Sequence, residues 1–344
     1  MKKIYTLLLL SLLFVHVFAQ QKEISVLQWN IWQEGTCVKG GYDAVVNEIV
    51  RLKPDFVTFS EVRNYDNTRF CDRIVQSLAQ RGENYYSFYS TDTGLLSRYP
   101  IKDSTVVYPY HGDHGTVHRL VAEANGQEFA IYTAHLDYLK DAYYNVRGYD
   151  GSTWDEIPIP TSVTEVLQLN DDSFRDDEIY AFLKSAKSDI EAGRIVILGG
   201  DFNEPSHLDW IRDTKDLYDH HGLIIPWTVT LALDNAGFVD TYRTLYPDVL
   251  KYPGFTFPSD NPLKDPRRLT WAPKADERDR IDYVFFYPDP RIQLKSAIIF
   301  GPSKSIVRNE RVEETSKDKF LQPLDVWPTD HKGLLVKFKL KKKK

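Results

Sequence analysis

Residues 196–205 read VILGGDFNEP. With Ile195 before them, Val196, Ile197 and Leu198 make an unbroken apolar run, the pattern of a strand buried on both faces. The run ends on Gly199 and Gly200, then on Asp201 and Asn203, polar side chains where a core wants neither. Glycines let another group approach the backbone closely. In an extended chain, residues two apart share a side, so Asp201 and Asn203 would present a carboxylate and an amide together. A βα turn with an Asx cap would use the same residues, and the neighbouring segments decide between the two.

Four other segments share this design. ISVLQWN (24–30) ends at Asn30, DFVTFSE (55–61) at Glu61, EFAIYTAHLD (128–137) at His135 and Asp137, and RIDYVFFY (280–287) carries Asp282 near its start. Their length and their β-branched and aromatic content predict strands. Helical periodicity fills 42–53, which stops before Pro54, 69–82, and 175–193, which starts acidic and ends at Gly193. Alternating strands and helices argue an α/β chain, while Asn125-Gly126 predicts a hairpin. A mixed sheet, or two sheets packed together, fits better than a purely parallel one. Residues 141–174 are long, polar and rich in Tyr, Asp and Pro, and are expected to form an ordered rim beside a site.

With 42% hydrophobic and 13% aromatic residues among 344, the chain can build a sizeable core. Two lysines, a short apolar run and Val17-Phe18-Ala19 predict a cleaved leader over residues 1–19 and an exported protein, periplasmic or secreted, with no stable membrane anchor. No repeat or linker divides the rest, so residues 20–340 are expected to form one domain, monomeric, followed by a solvated basic tail at 341–344. The formal charge of -6 becomes -8 once Lys2 and Lys3 are removed with the leader, a poor general binder of polyanions. Cys37 and Cys71 are the two cysteines, and the sequence leaves open whether they pair.

PTDHKGLLVKF (328–338) adds Asp330 and His331 at the mouth of another strand. With Asp282 they suggest a carboxylate that holds an imidazole in one tautomer. Together the strand ends supply carboxylates, asparagines and two histidines, with no nucleophilic Ser or Cys in a recognisable elbow. Such oxygen donors suit Mg²⁺ or Mn²⁺, with Glu61 as principal ligand and Asn30 beside it. A metal, a carboxylate that activates water, and donors aimed at developing charge make a phosphoester hydrolase.

In order along the chain, QWN with Asn30, FSE with Glu61, TAHLD with His135, GDFN, RIDYVFF and TDH resemble the endonuclease/exonuclease/phosphatase superfamily, which includes pancreatic-type DNases, abasic-site endonucleases, sphingomyelinases and inositol-polyphosphate 5-phosphatases. The resemblance runs from about residue 24 to 340. It implies a four-layer sandwich, two packed mixed sheets flanked by helices on both outer faces. It also implies in-line attack of water on phosphorus. Glu61 and Asn30 would belong to the metal shell, and Asp330 would touch that metal or a second one. Asp201 would orient or deprotonate water or protonate the leaving oxygen, and Asn203 would hold the phosphate. His135 and His331 would meet non-bridging oxygens or the transition state, with Asp282 pairing His331. Arg119, Trp271 and Arg280 are candidate substrate contacts, although a surface or packing role is the plainer reading of each arginine. The expected substrate is a small or exposed phosphoester. A secreted nuclease, with nucleic acid as substrate only, and a non-catalytic binding module on the same scaffold are the alternatives.

Overall fold

The computed structural model describes residues 22–112 and 114–341; the leader (1–19) and residues 342–344 of the basic tail lie outside the described residues. In chain order the elements are β1 (Glu23–Asn30), α1 (Gly41–Leu52), β2 (Phe56–Val62), α2 (Phe70–Gln80), β3 (Asp92–Ser97), β4 (Ile101–Tyr108), β5 (Thr116–Ala124) and β6 (Gln127–His135). Next come α3 (Ala142–Val146), α4 (Val163–Asn170), α5 (Arg175–Glu191), β7 (Ile195–Asp201), α6 (Thr228–Asn235), β8 (Val239–Asp240) and α7 (Thr241–Leu245). The chain continues through β9 (Asp282–Phe286), β10 (Ile292–Phe300), β11 (Ser305–Val307), β12 (Glu310–Val312), β13 (Phe320–Leu321) and β14 (Gly333–Leu340).

Two six-stranded mixed sheets, ordered β13-β10-β14-β1-β2-β3 and β4-β5-β6-β7-β9-β8, pack face to face. Ile24, Val26, Phe56, Ile131, Ile197 and Val284 meet between them. The outer face of the first sheet, Leu27, Trp29, Val57 and Phe59, is covered by α1 and α2 through Val45, Ile49, Phe70, Ile74 and Leu78. α5 and α6 cover the second through Ile179, Phe182, Val229 and Leu233 against Tyr132, Val196 and Leu198. The expected sandwich flanked by helices is the observed one. Among the described residues, no helix is long and apolar enough to cross a membrane.

The period-2 alternation of each strand places its polar end in the layer between the sheets. On β1 the inward residues run Ile24, Val26, then Gln28 and Asn30; on β7 they run Ile195, Ile197, then Gly199 and Asp201. The shared layer is therefore apolar at one end and polar at the other. Gly199 lets the sheets approach at the transition, since a Cβ there would sit 2.3 Å from Thr58 Oγ1.

Residues 141–174 are ordered, as expected of a rim, and Tyr143, Tyr144 and Trp154 line the cleft at the polar strand ends. They contain α3 and α4, with Ser162 Oγ capping α4 by accepting from Glu165 N at 3.3 Å. Tyr143, Tyr144, Val146 and Val166 pack with Trp210 and Trp227 into a separate small core, so aromatic burial rather than periodicity orders the segment. Both cysteines are free, Cys71 buried and Cys37 partly so.

Candidate active site

The polar strand ends converge on a cleft of about 290 Å³. Glu61, His135, Asp201, Asn203, Asp330, His331 and Trp271 line it. Asn30 and Asp282 lie directly beneath, bonded to those residues. Register explains the convergence: Asp201 pairs with His135 on one neighbouring strand and with Asp282 on the other.

Glu61 escapes the alternation that would turn it outward. A bulge falls between Ser60 and Val62, and Glu61 takes a left-handed φ of 65°. Opposite the bulge, Asp92 pairs with Val62 and also has a left-handed φ, 64°. Non-glycine residues adopt this region at a cost, which functional sites commonly bear.

Asn30 Nδ2 donates to Asp201 Oδ2 at 2.8 Å and to Glu61 Oε1 at 3.0 Å, while its Oδ1 accepts from Trp32 N. It therefore ties two carboxylates together. Gln33 N donates to Glu61 Oε2 and Asn203 N to Asp201 Oδ1, both at 3.0 Å. Asn203 Nδ2 donates to Leu136 O, which fixes its amide in the cleft wall. His331 Nδ1 lies 3.0 Å from Asp282 Oδ2 and 3.6 Å from Asp201 Oδ2. His135 Nδ1 lies 2.7 Å from Asp92 Oδ2, whose other oxygen meets Arg63 Nη1 at 2.7 Å. In both histidines Nδ1 is committed to a carboxylate, leaving Nε2 for the cleft.

Burial opposes charging either imidazole, but the facing carboxylates outweigh it. Asp92 lifts His135 to about 9, and Asp282 with Asp201 lifts His331 to about 10. Burial pushes Asp201 up to about 6, reinforced by the Asp282 charge, and Asp330 up to about 7, where Glu61 adds to burial and His331 opposes it. A site whose acids are raised in this way is short of positive charge, which is the electrostatic condition a bound cation satisfies. Asp201, Asp282 and His331 each offer a ligand atom, all within 4.8 Å of one another. With His331 committed to Asp282, it is the carboxylates here, together with Glu61 and Asp330 lining the same cleft, that fit a divalent metal.

The sequence matches the profile of the Endonuclease/Exonuclease/phosphatase family over residues 27–331. The chain belongs to that family. Its fold and its Asp/Asp/His group make it a metal-dependent phosphoester hydrolase. An uncharacterized protein of Caenorhabditis elegans is 27% identical over 320 residues, covering 91% of this chain and 90% of that one. The structure of TDP2 from C. elegans is similar in fold, with a TM-score of 0.52 at 16% identity, covering 93% of this chain and 76% of that one. A truncated form of the C. elegans enzyme gives 0.51 at 17% identity, covering 92% of this chain and 98% of that one. These relatives correct the expectation of an exported protein, because TDP2 is an intracellular enzyme rather than a secreted or periplasmic one. The Caenorhabditis elegans relative is eukaryotic, so the family resemblance is not peculiar to exported bacterial proteins.

Two of the substrate contacts expected from the sequence do not reach the cleft. Arg119 points to the outer face of its sheet, where Nε and Nη2 both meet Asp189 of α5 at 2.6 Å. Arg280 is buried, held by Asp209 at 2.9 Å and Asp240 at 2.5 Å. Each is a packing arginine, its charge already matched. Sequence reading missed Asp92 and Arg63. Arg63 stands two residues after Glu61, but nothing in the sequence links Asp92 to His135 across 43 positions. It also missed Trp154, which lines the cleft beside Trp271.

Proposed function

We propose that the chain, acting as a monomer, hydrolyses a small phosphomonoester or phosphodiester by in-line attack of water, with Mg²⁺ or Mn²⁺ as its metal. The observation that carries this reading is the setting of Asp201. It is buried, tied to Glu61 through Asn30 and within 4.0 Å of both His135 and His331. Glu61, with Asp330 close by, would supply oxygen ligands for the metal, and Asn30 orients Glu61 against Asp201. The bound metal would withdraw charge from the phosphoryl oxygens and the leaving oxygen.

Asp201 takes a proton from the attacking water as its oxygen bonds to phosphorus and the bond to the leaving oxygen breaks. His331 and His135, held cationic by Asp282 and Asp92, donate through Nε2 to the non-bridging oxygens where charge develops. The Asn203 amide completes the phosphate's surroundings.

The test is turnover by purified protein with Mg²⁺ or Mn²⁺ on a panel of DNA, RNA, sugar phosphates and an aryl phosphodiester. Steep loss of rate with salt would instead indicate a nuclease that contacts several phosphates. Absence of turnover on every ester would overturn the reading.

A further inference from the structure

The carboxylate floor of the cleft faces an aromatic wall. Trp271 stacks on Trp154, their ring centroids 4.9 Å apart and planes inclined by 26°. Tyr144 meets Trp154 edge-on at 4.9 Å and fixes it from behind. Trp271 nevertheless remains 51% exposed at the mouth. Leaving that much indole in water forfeits burial that a core would exploit, and such exposure beside a cleft marks a binding surface.

The wall is also held rigid. Trp154 has a left-handed φ of 65° and donates its N–H to Asp150 O at 2.9 Å, while Asp150 Oδ1 accepts from Ser152 N and Thr153 N. Trp271 N and Ala272 N both donate to the buried Glu277 carboxyl, at 3.1 and 3.2 Å. Backbone strain and these hydrogen bonds thus hold the two indoles in place before any ligand arrives.

We infer that this wall selects a phosphoester whose non-reacting side is one planar ring system, stacked against Trp271. The inference rests on the hydrolase reading above and adds the substrate class. Size argues for one ring system rather than a strand, since about 290 Å³ lies at the lower end of small-molecule sites. Charge argues the same way: Arg63, the arginine lining the cleft, is engaged by Asp92, so it offers no free cation for a second phosphate. A nucleoside and a simple aryl group share the required chemistry.

Phosphonates, which are not hydrolysed, separate binding from turnover. The full chain in Mg²⁺ is titrated calorimetrically with ethylphosphonate, benzylphosphonate and the 5′-methylenephosphonate analogue of adenosine. Wild type should prefer a ring-bearing probe to ethylphosphonate by about tenfold, the scale of one aromatic stack. W271A should reduce that preference to less than about twofold, whereas W271F should retain most of it. The tighter of the two ring-bearing probes distinguishes nucleoside from aryl substrate. Equal binding of all three by wild type, or a preference that survives W271A, overturns the inference. Failure of every ester to turn over would instead remove the hydrolase reading while leaving these binding ratios to be judged by themselves.

Discussion

Asp282 Oδ2 lies 3.0 Å from His331 Nδ1, joining the start of β9 to the loop before β14. Asp282 is fully buried and also receives Gln28 Nε2 at 3.5 Å. Its carboxylate therefore both orients the ring and keeps it protonated. In D282N the amide cannot supply that charge, so His331 should titrate lower and donate less well to the phosphoryl oxygens. We expect turnover to fall about 10²- to 10⁴-fold. KM should change much less, and a steady-state comparison with wild type across pH checks both expectations.

Asp201 should show the opposite signs in stability and activity. Its carboxyl is raised to about 6 by burial and by Asp282, so without metal its charge opposes folding at higher pH. In EDTA near pH 8, D201N should melt at the same temperature as wild type or roughly 1–3 °C higher. Turnover in Mg²⁺ should nonetheless be almost lost. A large fall in melting temperature would mean that Asp201 holds the fold rather than serving the chemistry.

Metal should be visible in stability as well as in rate. Chelation should abolish activity, and Mg²⁺ or Mn²⁺ should restore it. At a metal concentration of about 100 Kd the folded state should gain about 2.7 kcal/mol, read as a rise in melting temperature. Recovery with zinc alone would contradict the oxygen-rich donor set of Glu61 and Asp330.

Much of this arrangement is legible in the sequence because strand periodicity is strict. Asn30, His135, Asp201 and Asp282 stand at the inward positions of apolar strands, and alternation alone sends them into one layer. Three helices are likewise marked by spacing and by their ends, within two residues of α1, α2 and α5. What escapes is set by tertiary pairing. Asp92 reaches His135 through a bulge that period-2 reading cannot see. Arg119 and Arg280 carry the same charge as a phosphate-binding arginine, and only the position of Asp189, Asp209 and Asp240 reveals that they are already paired. Residues 141–174 lack a long periodic stripe because their order comes from aromatic contacts with Trp210 and Trp227, far along the chain.

The close approach at Gly199 can be tested by filling it. A Cβ would lie 2.3 Å from Thr58 Oγ1 and 3.2 Å from two of its carbons, on a strand of the opposite sheet. G199A should cost about 1–3 kcal/mol by forcing the sheets apart. T58A removes the hydroxyl and methyl that clash, so G199A/T58A should recover much of the loss. A double-mutant cycle by denaturant unfolding measures the coupling. Additive losses would place the strain elsewhere.

Glu277, behind the aromatic wall, gives a signed test of pH. Burial pushes its carboxyl from an ordinary 4.5 up to about 7, against the opposing donation from Trp271 N and Ala272 N and the pull of the nearby Tyr144 hydroxyl and Arg147. Between those values the folded state holds a proton that the unfolded chain has released. The stability this confers is present below about pH 4.5 and is lost as pH rises through about 7. Other raised acids, Asp201, Asp279 and Asp330, slope the same way, so the wild-type curve alone does not isolate Glu277. E277Q is neutral throughout and keeps an oxygen for the two backbone N–H groups. Its melting temperature relative to wild type should therefore climb as pH rises from about 4.5 to about 8, the sign fixed by the folded state's extra proton. A constant difference, or one that falls with pH, would show that Glu277 is ionised in the folded protein.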